Sequence, residues 1–187
     1  MNVYDFDKTI FQPDSSFSFF CYCLRHNTLA VSKCIPSAAV QFIRYLIHGK
    51  SDAQELKEAL FSFLNRIDNI DDLVHRFWEE HAGQIASWYL TKKQPDDLII
   101  SASPEFLLRP IAERLGVNLI ATPMNPYTGK IRGKNCHGRE KVRRFQESYP
   151  DTAVNEFYSD SLSDEPMAKL AQKAFLIREN ECTPWLF

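Results

Sequence analysis

Asp5 and Asp7 flank Phe6 in MNVYDFDKTIFQPDSS, directly after a short apolar run. Two carboxylates that close repel each other, and aspartate does not favour a strand. Further along, Ser101 and Ser103 follow the apolar Leu98-Ile99-Ile100, and Asp160 and Asp164 sit in Tyr158-Ser159-Asp160-Ser161-Leu162-Ser163-Asp164. Four acids and several hydroxyls on one sheet edge need a counter-charge. A hard divalent cation with oxygen ligands suits them, and Mg²⁺ uses one or two carboxylates while leaving room for a substrate phosphate.

This convergence requires a sheet whose strands end together. Residues 2–5 read as the end of a first strand, with Asp14 or Ser15 as a helix N-cap after it. From there to about residue 92 the pattern is helical, in about four helices punctuated by Pro36 and the stretch 48–51. Ser51 and Gln54 fit a capping box, followed by Leu56, Leu60, Phe63, Leu64 and Ile67 at helical spacing. A second helical stripe runs Leu73, Phe77, Ile85, Trp88 and Tyr89, and Phe17 to Leu24 reads as a more buried helix. Strands are then expected at 98–100, 117–121, 153–158 and 174–177. Helices at 104–115, 138–149 and 165–172 alternate with them. Pro110 should kink or restart the first of these, Gly116 should close it, and 125–129 should be a hairpin turn. Alternating strands and helices indicate an α/β fold, a doubly wound parallel sheet that binds ligands past its carboxyl ends. The helical block after the first strand is too long for a crossover and reads as an insertion.

DFDKT resembles the D-x-D-x-T motif of the haloacid dehalogenase-like (HAD) superfamily. Ser101 is similar to its second-motif hydroxyl, Lys141 in CHGREK to its third-motif lysine, and YSDSLSDEP to its acidic fourth motif. The four occur in family order over the whole chain. The insert looks like the helical cap of the phosphoserine-phosphatase-like branch. The resemblance implies a Rossmann-like core from residues 1–12 and 93–187, with a cap over 13–92. It implies a Mg²⁺-dependent phosphatase acting on a small phosphorylated metabolite through an aspartyl-phosphate. Asp5 would be the nucleophile and Asp7 the acid–base. Asp5, the Asp7 main-chain carbonyl and Asp160 would hold the metal. Ser101, Ala102, Lys141 and Thr9 would bind phosphate, Thr9 would also support Asp7, and Asp164 would orient the metal or Lys141. SASPEFLL lacks the Ser-Gly-Gly of typical phosphoserine phosphatases, so phosphoserine itself is not the expected substrate. A phosphotransferase or mutase with the same chemistry is the alternative. A silent binding module using the basic segment 130–144 is another.

Several residues carry competing readings. Lys134 rivals Lys141, Asp14 is a helix cap or a contact for a substrate amine, and Ser101 and Asp164 could each cap a helix. Phe17, Phe19, Phe20 and Tyr22 read as cap core rather than a substrate box. The cap's apolar content suggests a substrate with little charge beyond its phosphate. A net charge of −2 argues against nucleic acid or a membrane as a bulk partner, and no apolar run is long enough to span a bilayer. Five cysteines without a C-x-x-C pair fit reduced thiols, and no signal peptide is evident, so a cytoplasmic protein is expected.

Overall fold

The computed structural model describes residues 1–48, 53–179 and 181–187. Strands β1 (Val3–Tyr4), β2 (Leu98–Pro104), β3 (Asn118–Thr122), β4 (Val154–Ser159), β5 (Ala171–Arg178) and β6 (Glu181–Pro184) form one sheet in the order β3-β2-β1-β4-β5-β6. The first five are parallel, and β6 is antiparallel to β5. The expected α/β doubly wound sheet is therefore present, with β6 as an unforeseen edge. The polar ECTP stretch gives no strand signal of its own.

Side chains alternate across the sheet as its two-residue period requires. Val3, Leu98, Ile100 and Phe157 enter one buried cluster; Tyr4, Ile99 and Tyr158 enter the other. The first cluster is closed by helix α8 (Arg139–Ser148) through Phe145 and by α9 (Glu165–Ala168) through Met167. The second is closed by α7 (Glu105–Leu115) and by helices from the block between β1 and β2. An aromatic stack runs across this face: Tyr4 on Tyr158 and Tyr158 on Phe175, each with centroids 4.9 Å apart. Such pairs contribute about 0.5–1.5 kcal/mol each, and they hold the strands that end at the site.

The block comprises α1 (Ser15–His26), α2 (Thr28–Ser32), α3 (Ile35–His48), α4 (Ala53–Leu60), α5 (Ile70–His81) and α6 (Ser87–Lys92). That is more and shorter pieces than expected among the described residues. The stripe expected from Leu73 to Tyr89 breaks at 82–86. There Ala86 N–H donates to the Ile10 carbonyl at 2.8 Å, and Gln12 N–H donates to the Gln84 carbonyl at 3.3 Å. The backbone is used to tie the block to the loop after β1. Helix α4 gives way to a 3₁₀ turn over Phe61–Arg66. Residues 49–52, including Ser51 of the expected capping box, lie outside the described residues. Helix α7 runs through Pro110 without restarting and ends on Gly116 at φ +70°. Helix α9 stops at Ala168, short of Gln172, because β5 already pairs with β4 from Ala171. Phe19, Phe61, Phe77, Leu107 and Ile111 share one cluster, so the helical block packs continuously onto the core.

Candidate active site

The chain order reverses direction at β1, so the crevice for a ligand lies past its carboxyl end. Asp5 is the first residue there, and its N–H donates to the Tyr158 carbonyl at 2.8 Å. Lys141, in the first turn of α8, donates to Asp5 Oδ1 and to Asp164 Oδ2, both at 2.6 Å, and is 2% exposed. Asp164 Oδ2 also accepts from Ser159 Oγ at 2.8 Å.

Asp7 is held from the opposite side. Its Oδ1 accepts from the Ser15 N–H at 2.7 Å, and its Oδ2 from Ser103 Oγ at 2.5 Å. Ser15 Oγ donates to Ser103 Oγ at 3.0 Å. Directly after Asp7, Lys8 is exposed with φ +57°, a left-handed conformation that costs about 1–2 kcal/mol for a residue with a Cβ. Its N–H donates to the Pro13 carbonyl at 3.2 Å, so the chain turns immediately past Asp7. Thr9 is fully buried, and its Oγ1 accepts from the Asp160 N–H at 3.0 Å, locking the loops after β1 and β4 together. Asp5, Asp7, Ser101, Lys141, Asp160 and Asp164 all line one cavity of about 160 Å³.

Burial pushes the Asp5 carboxyl above the ordinary range; the Lys141 ammonium opposes this and Asp164 reinforces it. Burial and the Asp14 charge push Asp7 up, against the Ser103 and Ser15 hydrogen bonds. Burial also raises Asp160, with the Lys8 ammonium opposing. Lys141 is held charged by Asp5 and Asp164, which outweigh its own burial. The carboxylates of Asp5, Asp7, Asp160 and Asp164 thus line one cavity with Lys141, which bonds two of them, Asp5 and Asp164. Asp164 Oδ1 is buried with no hydrogen-bond partner. Among the described residues no three His, Cys, Asp or Glu side chains group as a metal site. The carboxylates of Asp5 and Asp160 line that cavity together, an oxygen donor set that would suit a hard cation such as Mg²⁺.

A larger cavity of about 1010 Å³ adjoins the first, with Asp14, Ala102 and His137 lining both. Phe17, Phe20, Tyr45, Leu56, Leu60 and Phe61 give it apolar walls. Lys57 of α4 lines it too, donating to the Ala102 carbonyl at 2.7 Å and to Asn135 Oδ1 at 3.2 Å. Burial lowers the Lys57 pKa, while Asp7 and Asp14 oppose that.

The expected roles divide in the structure. Thr9 bonds Asp160 rather than Asp7 and does not line the small cavity. Lys134 is exposed at the larger cavity, while Lys141 meets Asp5. Ser101 lies inside β2 and its Oγ accepts from the Ser103 N–H at 3.0 Å, so it caps no helix. Asp164 stands at the start of α9 without a side-chain capping bond. Asp14 does cap α1, accepting from the Phe17 N–H at 2.8 Å. Phe19 and Tyr22 are core, but Phe17 and Phe20 line the larger cavity. The roles of Ser15, Ser103 and Lys57 were not foreseen. Ser103 stood at a strand end with no sign of its partner, and Lys57 looked like any helix lysine.

Residues 3–169 match the family model described as haloacid dehalogenase-like hydrolase. Protein CicA of Caulobacter vibrioides (strain NA1000 / CB15N) is 27% identical over 131 residues, 66% of this chain and 53% of that protein. The chain thus spans about half the length of the curated relatives it matches. A Bordetella pertussis Tohama I protein described as of unknown function superposes with TM-score 0.77 at 19% identity, covering 93% of this chain and 87% of that one. A phosphoserine phosphohydrolase-like protein from Francisella tularensis subsp. tularensis SCHU S4 superposes with TM-score 0.57 at 16% identity, covering 96% and 88%. These structural likenesses are of fold. With the family match spanning most of the chain, they lead to one conclusion: the chain belongs to the haloacid dehalogenase-like hydrolases.

Proposed function

We propose that this protein is a Mg²⁺-dependent phosphatase that hydrolyses a small-molecule phosphate monoester through an aspartyl-phosphate on Asp5. One juxtaposition carries the reading. A buried carboxylate fixed by Lys141 and a second carboxylate fixed by Ser15 and Ser103 line the same cavity. Phosphate-monoester hydrolysis is among the slowest uncatalysed reactions, and a carboxylate nucleophile divides it into two displacements. An Asp5 oxygen forms the bond to phosphorus as the ester P–O bond breaks. The leaving alkoxide takes a proton from Asp7, whose raised pKa keeps that proton available. Asp7 then accepts a proton from water as the water oxygen attacks phosphorus. This releases inorganic phosphate and restores the Asp5 carboxylate.

Ser101, the backbone at Ala102 and Lys141 take the phosphoryl oxygens. Asp164 and Ser159 position Lys141. Asp5, Asp160 and the Asp7 carbonyl would hold Mg²⁺, which supplies charge compensation between the acids and the phosphoryl group. Thr9 acts by fixing the backbone at Asp160. In this reading residues 13–92 form the cap over the core of 1–12 and 93–187. The substrate's leaving group occupies the larger, mainly apolar cavity. Five free cysteines fit a reducing cytoplasm as its place of action.

Turnover of an aryl phosphate with Mg²⁺ tests the proposal. Asp5→Asn is expected to lose at least about a thousandfold in kcat, and Asp7→Asn about a hundredfold or more. Chelation should abolish turnover. Full activity in Asp5→Asn, or no turnover of any phosphate monoester by the unaltered chain, would overturn the reading.

A further inference from the structure

Helix α3 is amphipathic in the wrong sense for a soluble surface helix. Its sequence is IPSAAVQFIRYLIH. Ala38 is buried and Gln41 and Tyr45 are half-buried, so the helix is seated through one small and two polar-tipped residues at helical spacing. The apolar side chains point the other way. Ile35 is 45% exposed, Val40 57%, Phe42 51%, Ile43 56%, Leu46 65% and Ile47 70%. Placed at 3.6 residues per turn, these six form one continuous arc opposite the seated face. Leu29 of α2, 82% exposed, precedes it. Single exposed apolar residues need no explanation, but a contiguous set this size marks an interaction surface.

Charge identifies the partner. Between Asp14 and Asp52 the chain has no acidic residue, and its charged side chains are Arg25, Lys33, Arg44 and Lys50. Taking these four from the 22 basic residues leaves 18 against 24 acidic ones on the rest of the chain. The net charge of −2 therefore averages a cationic, apolar segment with an acidic remainder. Arg25, Lys33 and Arg44 are all exposed. Along the chain, an apolar helix face bracketed by cations from Arg25 to Lys50, with the next acids at Asp52 and Glu55, suits the headgroup region of a bilayer containing anionic lipid. A second copy of this chain, related by a twofold axis, would set the same cations against each other. No helix among the described residues is long and apolar enough to cross a membrane, so the contact is lateral.

We infer that the outward face of α3 docks this protein on the surface of anionic bilayers. The segment also reaches the larger cavity, because Phe17 and Tyr45 line its wall, so docking brings that opening close to the lipid surface. The inference does not depend on the phosphatase reading.

Co-sedimentation with vesicles tests it. Vesicles of phosphatidylcholine alone are compared with vesicles containing about 30% phosphatidylglycerol, at low salt. The unaltered chain is expected to partition about tenfold more strongly to the anionic vesicles, and the difference should collapse at high salt. The double variant Ile43→Glu/Ile47→Glu should lose about tenfold or more of that binding, and Lys33→Glu a few-fold. Thermal unfolding by circular dichroism checks that the variants fold, and the comparison of the two vesicle types stands on the unaltered chain alone. No preference for anionic vesicles, or equal binding by the double variant, overturns the inference. A dimer in solution that the double variant converts to monomer also overturns it, in favour of a second copy.

Discussion

Ser103 is the residue that most changes the account of this site. Its hydroxyl donates to Asp7 Oδ2, so the second acid is oriented from β2 as well as from α1. That hydrogen bond favours the ionised carboxylate and opposes the upward push of burial. Ser103→Ala should therefore lower kcat toward an aryl phosphate by about tenfold to a hundredfold, the worth of a hydrogen bond to a charged group, with KM little changed. The sign of the pH effect follows. Removing the donor raises the Asp7 pKa further, so the high-pH limb of the kcat profile should move to higher pH. A limb that stays in place, or moves down, would separate Ser103 from Asp7 chemistry.

At the scale of elements, the hairpin between β3 and α8 fastens the core to the helical block. Glu58 of α4 accepts from Lys130 Nζ at 2.8 Å and from the Ile131 N–H at 3.1 Å. At the turn, Gly129 has φ +70°, and a Cβ there would stand 2.3 Å from the Phe61 carbonyl oxygen. Both the conformation and the close approach require glycine. Gly129→Ala should cost about 2–3 kcal/mol and lower the midpoint of thermal unfolding by about 5–10 °C. An unchanged midpoint would show that the 3₁₀ turn at Phe61–Arg66 yields without penalty.

At the scale of the molecule, the buried acids make stability depend on pH. Asp5, Asp7 and Asp160 all sit above the ordinary carboxylate value when folded. The folded chain then holds protons that the unfolded chain has already released, so stability falls as pH rises above about 4 toward neutrality. Lys141 is raised, so its contribution is fully present through this range and is lost only at far higher pH. Glu58, Glu140 and Glu156 are lowered, and their contributions are complete by about pH 5. The metal-free chain should therefore unfold at a lower temperature at about pH 7 than at about pH 5. Millimolar Mg²⁺ should restore the midpoint at neutral pH by binding the folded form. A midpoint indifferent to both would remove the charge argument for a metal.

What the sequence determined by itself was the inventory and its order. Short apolar runs, helical periodicity and turn residues located five of the strands, and the alternation of strands with helices gave the α/β class. Apolar runs ending at Asp5, Ser101 and Asp160 put the chemistry at one edge, since parallel strands must end on the same side. The edge strand β6 and the breaks in the helical block escaped because tertiary hydrogen bonds, not local patterns, define them. The tertiary structure alone decided who holds whom. Lys141 rather than Lys134 meets Asp5, Thr9 serves Asp160, Ser103 and Ser15 serve Asp7, and Lys57 reaches the Ala102 carbonyl. The facing of α3 belongs to the same class. Its pattern reads as an ordinary amphipathic helix, and only the packing of Ala38, Gln41 and Tyr45 shows that its apolar side is turned outward. Periodicity specifies that a helix has two faces; the neighbours it packs against decide which of them meets the solvent.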